Sequence, residues 1–269
     1  MAVQALKFAR EETRLDGARL GRLLERRAIG ADPYVLRMWR EALAEAEGLA
    51  RPRHGDPLVF PYVPFAPETF GLELSAASRV LDLGCLAGFG LYDFTVRRQR
   101  LGQPVPMMVG VDVDPAGLAL GEALGRGWAA PGQLSFQRAT GEALPHADGA
   151  FDLVIARSVL QYLRIKPALA ELARVVRPGG LVLLQVHGPG YYLHQIARHL
   201  HQPLQAAYYG RALASGLLLA SSGVQPRHRW FSEAPITGGR LRASCRDLGL
   251  TPLWTNGHLA RPLAVFQKQ

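Results

Sequence analysis

An acidic residue and a set of glycines at the end of a predicted strand are the residues best suited to chemistry. Asp82 follows the apolar pair Val80-Leu81, and Gly84, Gly88 and Gly90 come after it. Glycines let the backbone bend sharply and approach a ligand with no Cβ in the way. A carboxylate at Asp82 attracts a cationic group. The segment therefore predicts a ligand-binding turn between a strand and a helix.

Two cofactors fit a turn of this kind. A dinucleotide favours G-x-G-x-x-G, because the backbone must approach a pyrophosphate closely. The chain does not supply that pattern: counting from Gly84 the third position is Leu86, and counting from Gly88 the sixth is Asp93. S-adenosylmethionine (SAM) has a cationic methionine end and no phosphates. The acid Asp82 therefore favours SAM.

The run Val80–Gly88 resembles the first motif of the class I SAM-dependent methyltransferases, D-x-G-C-G-x-G, with Leu86 in place of the second glycine. Asp112 ends a segment similar to the family's second strand, whose terminal acid binds the ribose hydroxyls. The later motifs follow in the family's order: Ala139–Pro145 near the adenine, with Thr140 where an Asp is usual, Phe151–Ile155 and Ser158–Leu163 for the fourth strand and its helix, and Arg174–Gly180 before the fifth strand.

The resemblance implies a Rossmann-like α/β fold whose seven-stranded, mostly parallel sheet has the order 3-2-1-4-5-7-6, with the last strand antiparallel. It also implies SAM as the cofactor and S-adenosylhomocysteine (SAH) as the product. The residues that it assigns to cofactor binding are Asp82, Gly84, Cys85, Gly88, Asp112, Val113, Thr140, Gly141, Glu142, Arg157 and Ser158.

Short β-branched apolar runs that alternate with helical segments from residue 79 onward indicate a parallel sheet covered on both faces. Seven strands are predicted, at Arg79–Leu83, Met107–Asp112, Leu134–Gln137, Asp152–Ala156, Leu181–Val186, Leu250–Thr255 and Pro262–Gln267. Helices are predicted after Gly88, Pro115, Ser158 and Lys166. Pro178 and the glycine pair after it predict a turn into the fifth strand.

The chain divides into two predicted parts. Residues 1–71 indicate a helical extension and a connector rich in proline and aromatic residues, which we expect to serve as a lid or a dimer contact. Residues 72–269 form the expected SAM-binding domain, with a helical insertion at 187–232. Its second helix, Leu204–Ser222, is apolar but contains Arg211, so a membrane span is not expected.

Histidines near the end of the fifth strand are the candidates for a catalytic base. His187 follows that strand directly and His194 lies on the next predicted helix. Removal of a proton from an O or N acceptor by a base contributes about 10²–10⁴-fold to rate. The residues expected to contact the acceptor lie after the fourth strand and in the insertion: Tyr162, Tyr191, Arg227, Arg229 and Trp230.

Charge is unevenly distributed along the chain. Residues 187–269 contain nine Lys and Arg but two Asp and Glu, whereas residues 1–186 contain 22 and 20. Such a basic excess attracts an anionic partner. The expected acceptor is a small anionic biosynthetic metabolite, and a nucleic acid, RNA above all, is the alternative. A second alternative is a non-catalytic homologue that binds SAM or regulates a partner.

The two cysteines bear on whether the chain holds a metal site or a disulfide framework. Cys85 and Cys245 are the two cysteines of the chain, and neither lies in a C-x-x-C pattern. No metal site or disulfide framework is therefore expected. A reduced, cytoplasmic setting is the simplest interpretation.

Overall fold

A computed structural model describes Trp39 and residues 66–225 and 233–269. A seven-stranded sheet with helices on both faces organises these residues. In chain order the elements are β1 (Arg79–Leu83), α1 (Phe89–Arg100), β2 (Met107–Asp112), α2 (Pro115–Gly125), β3 (Leu134–Arg138), β4 (Phe151–Arg157), α3 (Ile165–Val175), β5 (Val176–Gln185), α4 (Pro189–Arg198), α5 (Pro203–Ser222), α6 (Gly238–Arg246), β6 (Leu250–Thr255) and β7 (Leu263–Lys268). Two short 3-10 helices, Pro67–Phe70 and Leu160–Tyr162, precede β1 and α3.

The strand order is β3-β2-β1-β4-β5-β7-β6, which confirms the predicted order. Strands β1 to β5 pair in parallel, and β7 runs antiparallel to both β5 and β6. Chain order reverses between β1 and β4. In an open parallel sheet a ligand binds at such a reversal, outside the carboxyl ends of the strands.

Alternating side chains of the central strands enter two separate cores. Leu81 of β1 contributes to one face and Val80 to the other, and Val154 and Leu153 of β4 divide in the same way. Strands that are buried on both faces must be apolar at nearly every position. This explains the continuous hydrophobic runs of the sequence.

Strand β5 differs from its predicted bounds. Pro178 and the two following glycines were expected to form a turn before the strand, but Val176 already pairs with Phe151 of β4. The register then shifts, so that Leu181 pairs with Leu153. Proline has no N–H for a ladder, and Gly179 has a φ of +75°. The three residues therefore form an irregularity within β5.

Capping fixes the start of the helix after β2. The side chain of Asp114 accepts hydrogen bonds from the N–H groups of Ala116 and Gly117, both at 3.0 Å. Pro115 occupies the first turn, where its missing N–H costs no hydrogen bond. The sharp start of α2 leaves the end of β2 next to the glycine-rich turn.

Trp39 links the N-terminal part of the chain to that turn. Its side chain is fully buried, and its indole Nε1–H donates to the carbonyl of Ala87 at 3.1 Å. Its ring lies 5.3 Å from that of Tyr92 on α1, which in turn lies 5.6 Å from Trp128. Residues 1–38 and 40–65, which include nearly all of the predicted extension, lie outside the described residues.

Gly88 and Gly71 provide a matched test of how closely the turn is packed. Both have a φ of +78°, but a Cβ on Gly88 would lie 2.5 Å from Cζ of Phe136, whereas a Cβ on Gly71 would have no neighbour within 4 Å. We expect each alanine variant to lose about 1–2 kcal/mol through backbone strain. Gly88→Ala should lose a further ~1–3 kcal/mol through overpacking. Urea unfolding measures the difference, and equal losses would contradict the close packing.

Candidate functional site

Two carboxylates lie at the ends of neighbouring strands beside the glycine-rich turn. Asp82 is near the end of β1 and Asp112 ends β2, and both side chains are buried. The two strands pair in parallel, with Leu83 opposite Val111. Their carboxyl ends therefore lie at the same edge of the sheet, next to the point where strand order reverses.

Backbone hydrogen bonds hold the turn after β1 against β2. The N–H groups of Gly84 and Cys85 donate to the carbonyl of Val111 at 2.8 and 3.2 Å, and Gly88 N–H donates to the Cys85 carbonyl at 2.8 Å. A Cβ on Gly84 would lie 2.7 Å from Cβ of Val159, which covers the turn from the β4 side. The turn is packed between β2 and the segment after β4.

Leu86, at the position where the resembled motif has a glycine, adopts a left-handed backbone conformation. Its φ is +50°, in the left-handed region that non-glycine residues rarely occupy. Its N–H donates to Oδ2 of Asp112 at 2.9 Å. A hydrogen bond to a charged group contributes about 1.5–3 kcal/mol, enough to offset the strain of roughly 1–2 kcal/mol.

Asp112 also orders the residues that follow it. Its Oδ1 accepts the N–H groups of Val113 at 2.7 Å and Asp114 at 3.0 Å. The side chain of Val113 is exposed. One carboxylate therefore connects the turn after β1 with the turn after β2.

Asp82 is the more strongly perturbed carboxylate. Burial raises its pKa to about 6, against the lowering effect of the Arg157 cation, and the nearby Asp112 raises it further. A buried carboxylate with this pKa favours a positively charged partner, because a cation restores the ionised form.

Ser158 has an unusual backbone directly after β4. Its φ is +53° and its N–H donates to the Gln185 carbonyl of β5 at 2.7 Å. Its Oγ is buried and has no hydrogen-bond partner in the described part of the chain. A strained residue with an unpaired buried hydroxyl at the end of a central strand is typical of a ligand site.

Three further predicted cofactor residues follow β3. Thr140 Oγ1 accepts the N–H of Glu142 at 3.4 Å, and a Cβ on Gly141 would lie 2.7 Å from side chains of both Leu163 and Leu83. The Glu142 carboxylate accepts the Arg164 backbone N–H at 2.5 Å and pairs with its guanidinium at 3.3 Å. Glu142 therefore fastens this loop to the start of α3.

Cys85 lies in the turn and packs against β2: a Cβ on Gly110 would lie 2.8 Å from its Sγ. Burial, with the nearby Asp82 and Asp112 carboxylates, raises its pKa well above the usual range. A thiol in this state is a poor nucleophile. Both cysteines are buried and free, and no cluster of three or more His, Cys, Asp or Glu that could hold a metal ion occurs among the described residues.

His187, one predicted base, is buried at the end of β5. Nε2 of Gln161 donates to the Ser158 carbonyl at 2.8 Å and lies 3.2 Å from Nδ1 of His187. Because the carbonyl requires a donor, the amide nitrogen must face both groups. His187 Nδ1 then accepts, and its proton is on Nε2.

The surroundings of His187 oppose its protonation. Its ring stacks on Tyr191 at 4.0 Å, and the guanidinium of Arg261 lies 5.5 Å from the other ring of that stack. Burial, aided by the Arg261 charge, lowers the pKa of His187 to about 3. The imidazole is therefore neutral at pH 7, and its geometry suits a hydrogen-bond donor better than a base.

The second predicted base, His194, and the predicted acceptor residues do not all lie at one place. His194 is exposed on α4, and Tyr162 is 49% exposed at the end of its 3-10 helix. Tyr191 contacts His187 directly. Arg227, Arg229 and Trp230 lie outside the described residues, so their predicted role remains a prediction.

Sequence reasoning missed Glu233 and Arg261, both of which are buried near His187 or its tyrosine neighbours. One signal was available for Glu233: it is one of two acids in the basic segment 187–269. Tyr192 donates to its Oε2 at 2.5 Å, and Tyr208 donates to its Oε1.

The low pKa of His187 predicts a pH dependence of stability. Between pH 6.5 and about 3 the unfolded chain binds a proton at this residue and the folded chain does not, so stability falls as pH decreases. From pH 7 to pH 5 the wild type should lose about 2 kcal/mol more than His187→Gln in urea unfolding. The raised pKa of Asp82 acts in the opposite direction but equally in both proteins. An identical pH dependence of the two proteins would contradict the neutral imidazole.

Comparisons with known proteins agree with this geometry. A family model described as a methyltransferase domain matches residues 81–184. An uncharacterized methyltransferase of Mycobacterium sp. (strain KMS) is 35% identical over 190 residues, which cover 66% of this chain and 68% of the relative.

The ubiquinone/menaquinone biosynthesis C-methyltransferase UbiE of Pasteurella multocida (strain Pm70) is 36% identical over 107 residues. That match covers 39% of this chain, and the chain spans 38% of the length of this relative.

A solved structure of a SAM-dependent methyltransferase from Methanosarcina mazei aligns with a TM-score of 0.50 at 17% identity. It covers 76% of this chain and 98% of the other, and at this identity the likeness concerns the fold. Together with the length and identity of the mycobacterial match, the family model places the chain: it belongs to the class I SAM-dependent methyltransferase family.

Proposed function

We propose that the protein transfers the methyl group of SAM to an oxygen or nitrogen atom of a small metabolite. The observation that carries this proposal is the pair of buried carboxylates, Asp82 and Asp112, beside a tightly held glycine turn. The nearby Arg157 cation offsets only part of the effect of burial on Asp82. A ligand that is cationic at one end and rich in hydroxyl donors at the other would satisfy both.

The residues present fit SAM. Asp82 would face its positively charged methionine end, because burial raises the pKa of this carboxyl and a bound cation would stabilise its ionised form. Asp112 accepts three N–H groups, and a carboxylate has about four acceptor positions, which leaves one for a ribose hydroxyl. The unpartnered Oγ of Ser158 offers a further hydrogen bond at the end of β4.

SAM, when bound, supplies a methyl group already activated by the sulfonium. The chain then has to align the acceptor with that methyl and exclude water, an effect that contributes roughly 7–11 kcal/mol when the geometry is well defined. The segment from Ser158 to Gln161, together with His187, borders the turn through Val159 and is the natural place for the acceptor.

Carbon is a second candidate for the methylated atom. The relative from Pasteurella multocida is a C-methyltransferase of ubiquinone/menaquinone biosynthesis, which supports carbon as a candidate. Product analysis separates the candidates: NMR of the product formed from ¹³C-methyl SAM distinguishes methyl groups on oxygen, nitrogen and carbon by chemical shift.

Cofactor binding is the first test of the proposal. We expect calorimetry to detect binding of both SAM and SAH to the purified protein. Failure to bind either would overturn the proposed function. Incubation with labelled SAM and a panel of phenols, quinols and amines then tests transfer.

Two further possibilities are a membrane-spanning helix and a nucleic-acid acceptor. Among the described residues no helix has the length and apolar character that a bilayer crossing requires. Binding of RNA with the steep salt dependence of phosphate contacts would favour a nucleic-acid acceptor over a small molecule.

The pKa of Asp82 predicts how SAM affinity depends on pH. Above about pH 6 the carboxylate is ionised and attracts the cation, whereas below that value it is protonated and the attraction is lost. We expect SAM affinity to be about tenfold lower at pH 5 than at pH 8, since one pKa unit corresponds to a factor of ten. Calorimetry at the two pH values measures this change.

Asp82→Asn should weaken SAM binding by about 10- to 100-fold at pH 8, because a hydrogen bond from the cationic end of SAM to a charged carboxylate would contribute about 1.5–3 kcal/mol. The substitution should also remove most of the pH dependence, because the amide does not titrate. Asp148→Asn, at a side chain that is 82% exposed, is the matched control. A pH dependence that persists in Asp82→Asn would assign the titration to another group.

A further inference from the structure

A buried hydrogen-bond acceptor lies unpaired beside the end of β5. Gln161 is fully buried, and its Oε1 has no hydrogen-bond partner among the described residues. Its amide cannot rotate to relieve this, because Nε2 is held by the Ser158 carbonyl at 2.8 Å and by His187 Nδ1 at 3.2 Å. An unpaired buried carbonyl costs about 1–3 kcal/mol, which a ligand that brings a donor recovers.

The Glu233 carboxylate, a second buried hydrogen-bond acceptor, is fixed next to Gln161. The Ala234 N–H donates to the Gln161 carbonyl and the Ile236 N–H to the His187 carbonyl, both at 3.0 Å. These bonds place Glu233, which is 6% exposed, beside the same segment. Tyr192 of α4 and Tyr208 of α5 donate to its two carboxylate oxygens.

Aromatic rings surround these two groups. His187 stacks on Tyr191, and the Tyr192 ring meets Tyr191 at 5.2 Å and Tyr209 at 6.4 Å in edge-to-face geometry. Such surfaces pack well against a flat ring. Tyr162, which is half exposed, accepts a hydrogen bond from the Gln161 side chain and lies near Glu233.

We propose that Gln161 and Glu233 select an aromatic acceptor that presents a hydroxyl or N–H group. This inference rests on the proposed function and names the chemical class of its acceptor. Gln161 Oε1 takes the donor directly. Glu233 acts as a positioning residue: it fixes Tyr192 and Tyr208, and through them the rings that the acceptor contacts.

The hydrogen bond to Gln161 also discriminates between the acceptor and its methylated product. When a hydroxyl is methylated, its O–H bond breaks, the S–CH₃ bond of SAM breaks and an O–CH₃ bond forms, while the proton leaves to water and the sulfonium becomes a thioether. The product then has no donor for Gln161. Sites built to hydrogen-bond a hydroxyl reject analogues that lack it, so the site favours release of the methylated molecule.

The test compares 2-naphthol with 2-methoxynaphthalene, which share a ring system and differ in the donor. In protein saturated with SAH, titration calorimetry should give at least tenfold tighter binding of 2-naphthol. Gln161→Met should reduce this ratio to near one. Glu233→Gln should weaken binding of both probes, since the rings lose their fixed positions. Glu73→Gln, at an exposed site, should leave the ratio unchanged.

Three outcomes would overturn the proposal: equal affinity for the two probes in the wild type, no binding of either, or an unchanged ratio in Gln161→Met. 2-Naphthoate is a third probe, which has the same ring system and an anionic carboxylate. If it binds more tightly than 2-naphthol and Gln161→Met does not change that preference, recognition would be assigned to arginines instead. Should Glu233→Gln not fold, Tyr208→Phe removes one of its hydrogen bonds at a half-buried position and gives the same reading.

SAH affinity distinguishes the two levels of inference. If the wild type does not bind SAH, the proposed function is overturned. Retained SAH binding with no preference between the naphthalenes overturns the donor selection alone.

Discussion

The three backbone N–H groups that meet the carboxylate of Asp112 hold together the edge of the sheet on which the rest of the site depends. They come from Leu86, Val113 and Asp114, so that one side chain ties the turn after β1 to the turn after β2. The bonds to this carboxylate are charge-assisted and therefore stronger than ordinary ones. With the turn held in this way, the buried Asp82 lies beside it at the end of β1.

The same bond explains how the chain tolerates a leucine at a glycine position. The left-handed backbone of Leu86 is a local cost, and the hydrogen bond from its N–H opposes that cost. Departure from a sequence motif therefore does not imply departure from its geometry. The backbone, which carries no side-chain identity, presents the N–H groups at this turn.

Much of the fold follows from local patterns. The strands β1, β2 and β6 have their predicted bounds. In β1 and β2 a short, largely apolar run followed by polar or turn residues marks the strand. Strand β5 was misjudged because pairing at Val176 is a long-range event that no local pattern reveals. Motif spacing pointed to Asp82 and Asp112, whose proximity follows from parallel pairing of β1 and β2.

The acceptor side was far less accessible to sequence reasoning. Gln161 lies in the motif after the fourth strand, but its significance lies in one unpaired atom that is visible only in three dimensions. Tyr192 and Glu233 are 41 residues apart, and nothing in the intervening sequence indicates that they meet. His187 was correctly placed at the end of β5, but its tautomer depends on the Gln161 amide, which only the folded geometry supplies.

Trp39 bears on where the catalytic unit begins. A division before the first strand, at residues 71 and 72, would separate this indole from the Ala87 carbonyl that it binds, although the two lie 48 residues apart in the chain. The matched family region starts only at residue 81. Removal of the N-terminal part of this protein would therefore leave the buried Ala87 carbonyl without the indole that binds it and the Tyr92 ring without the aromatic side chain that packs on it.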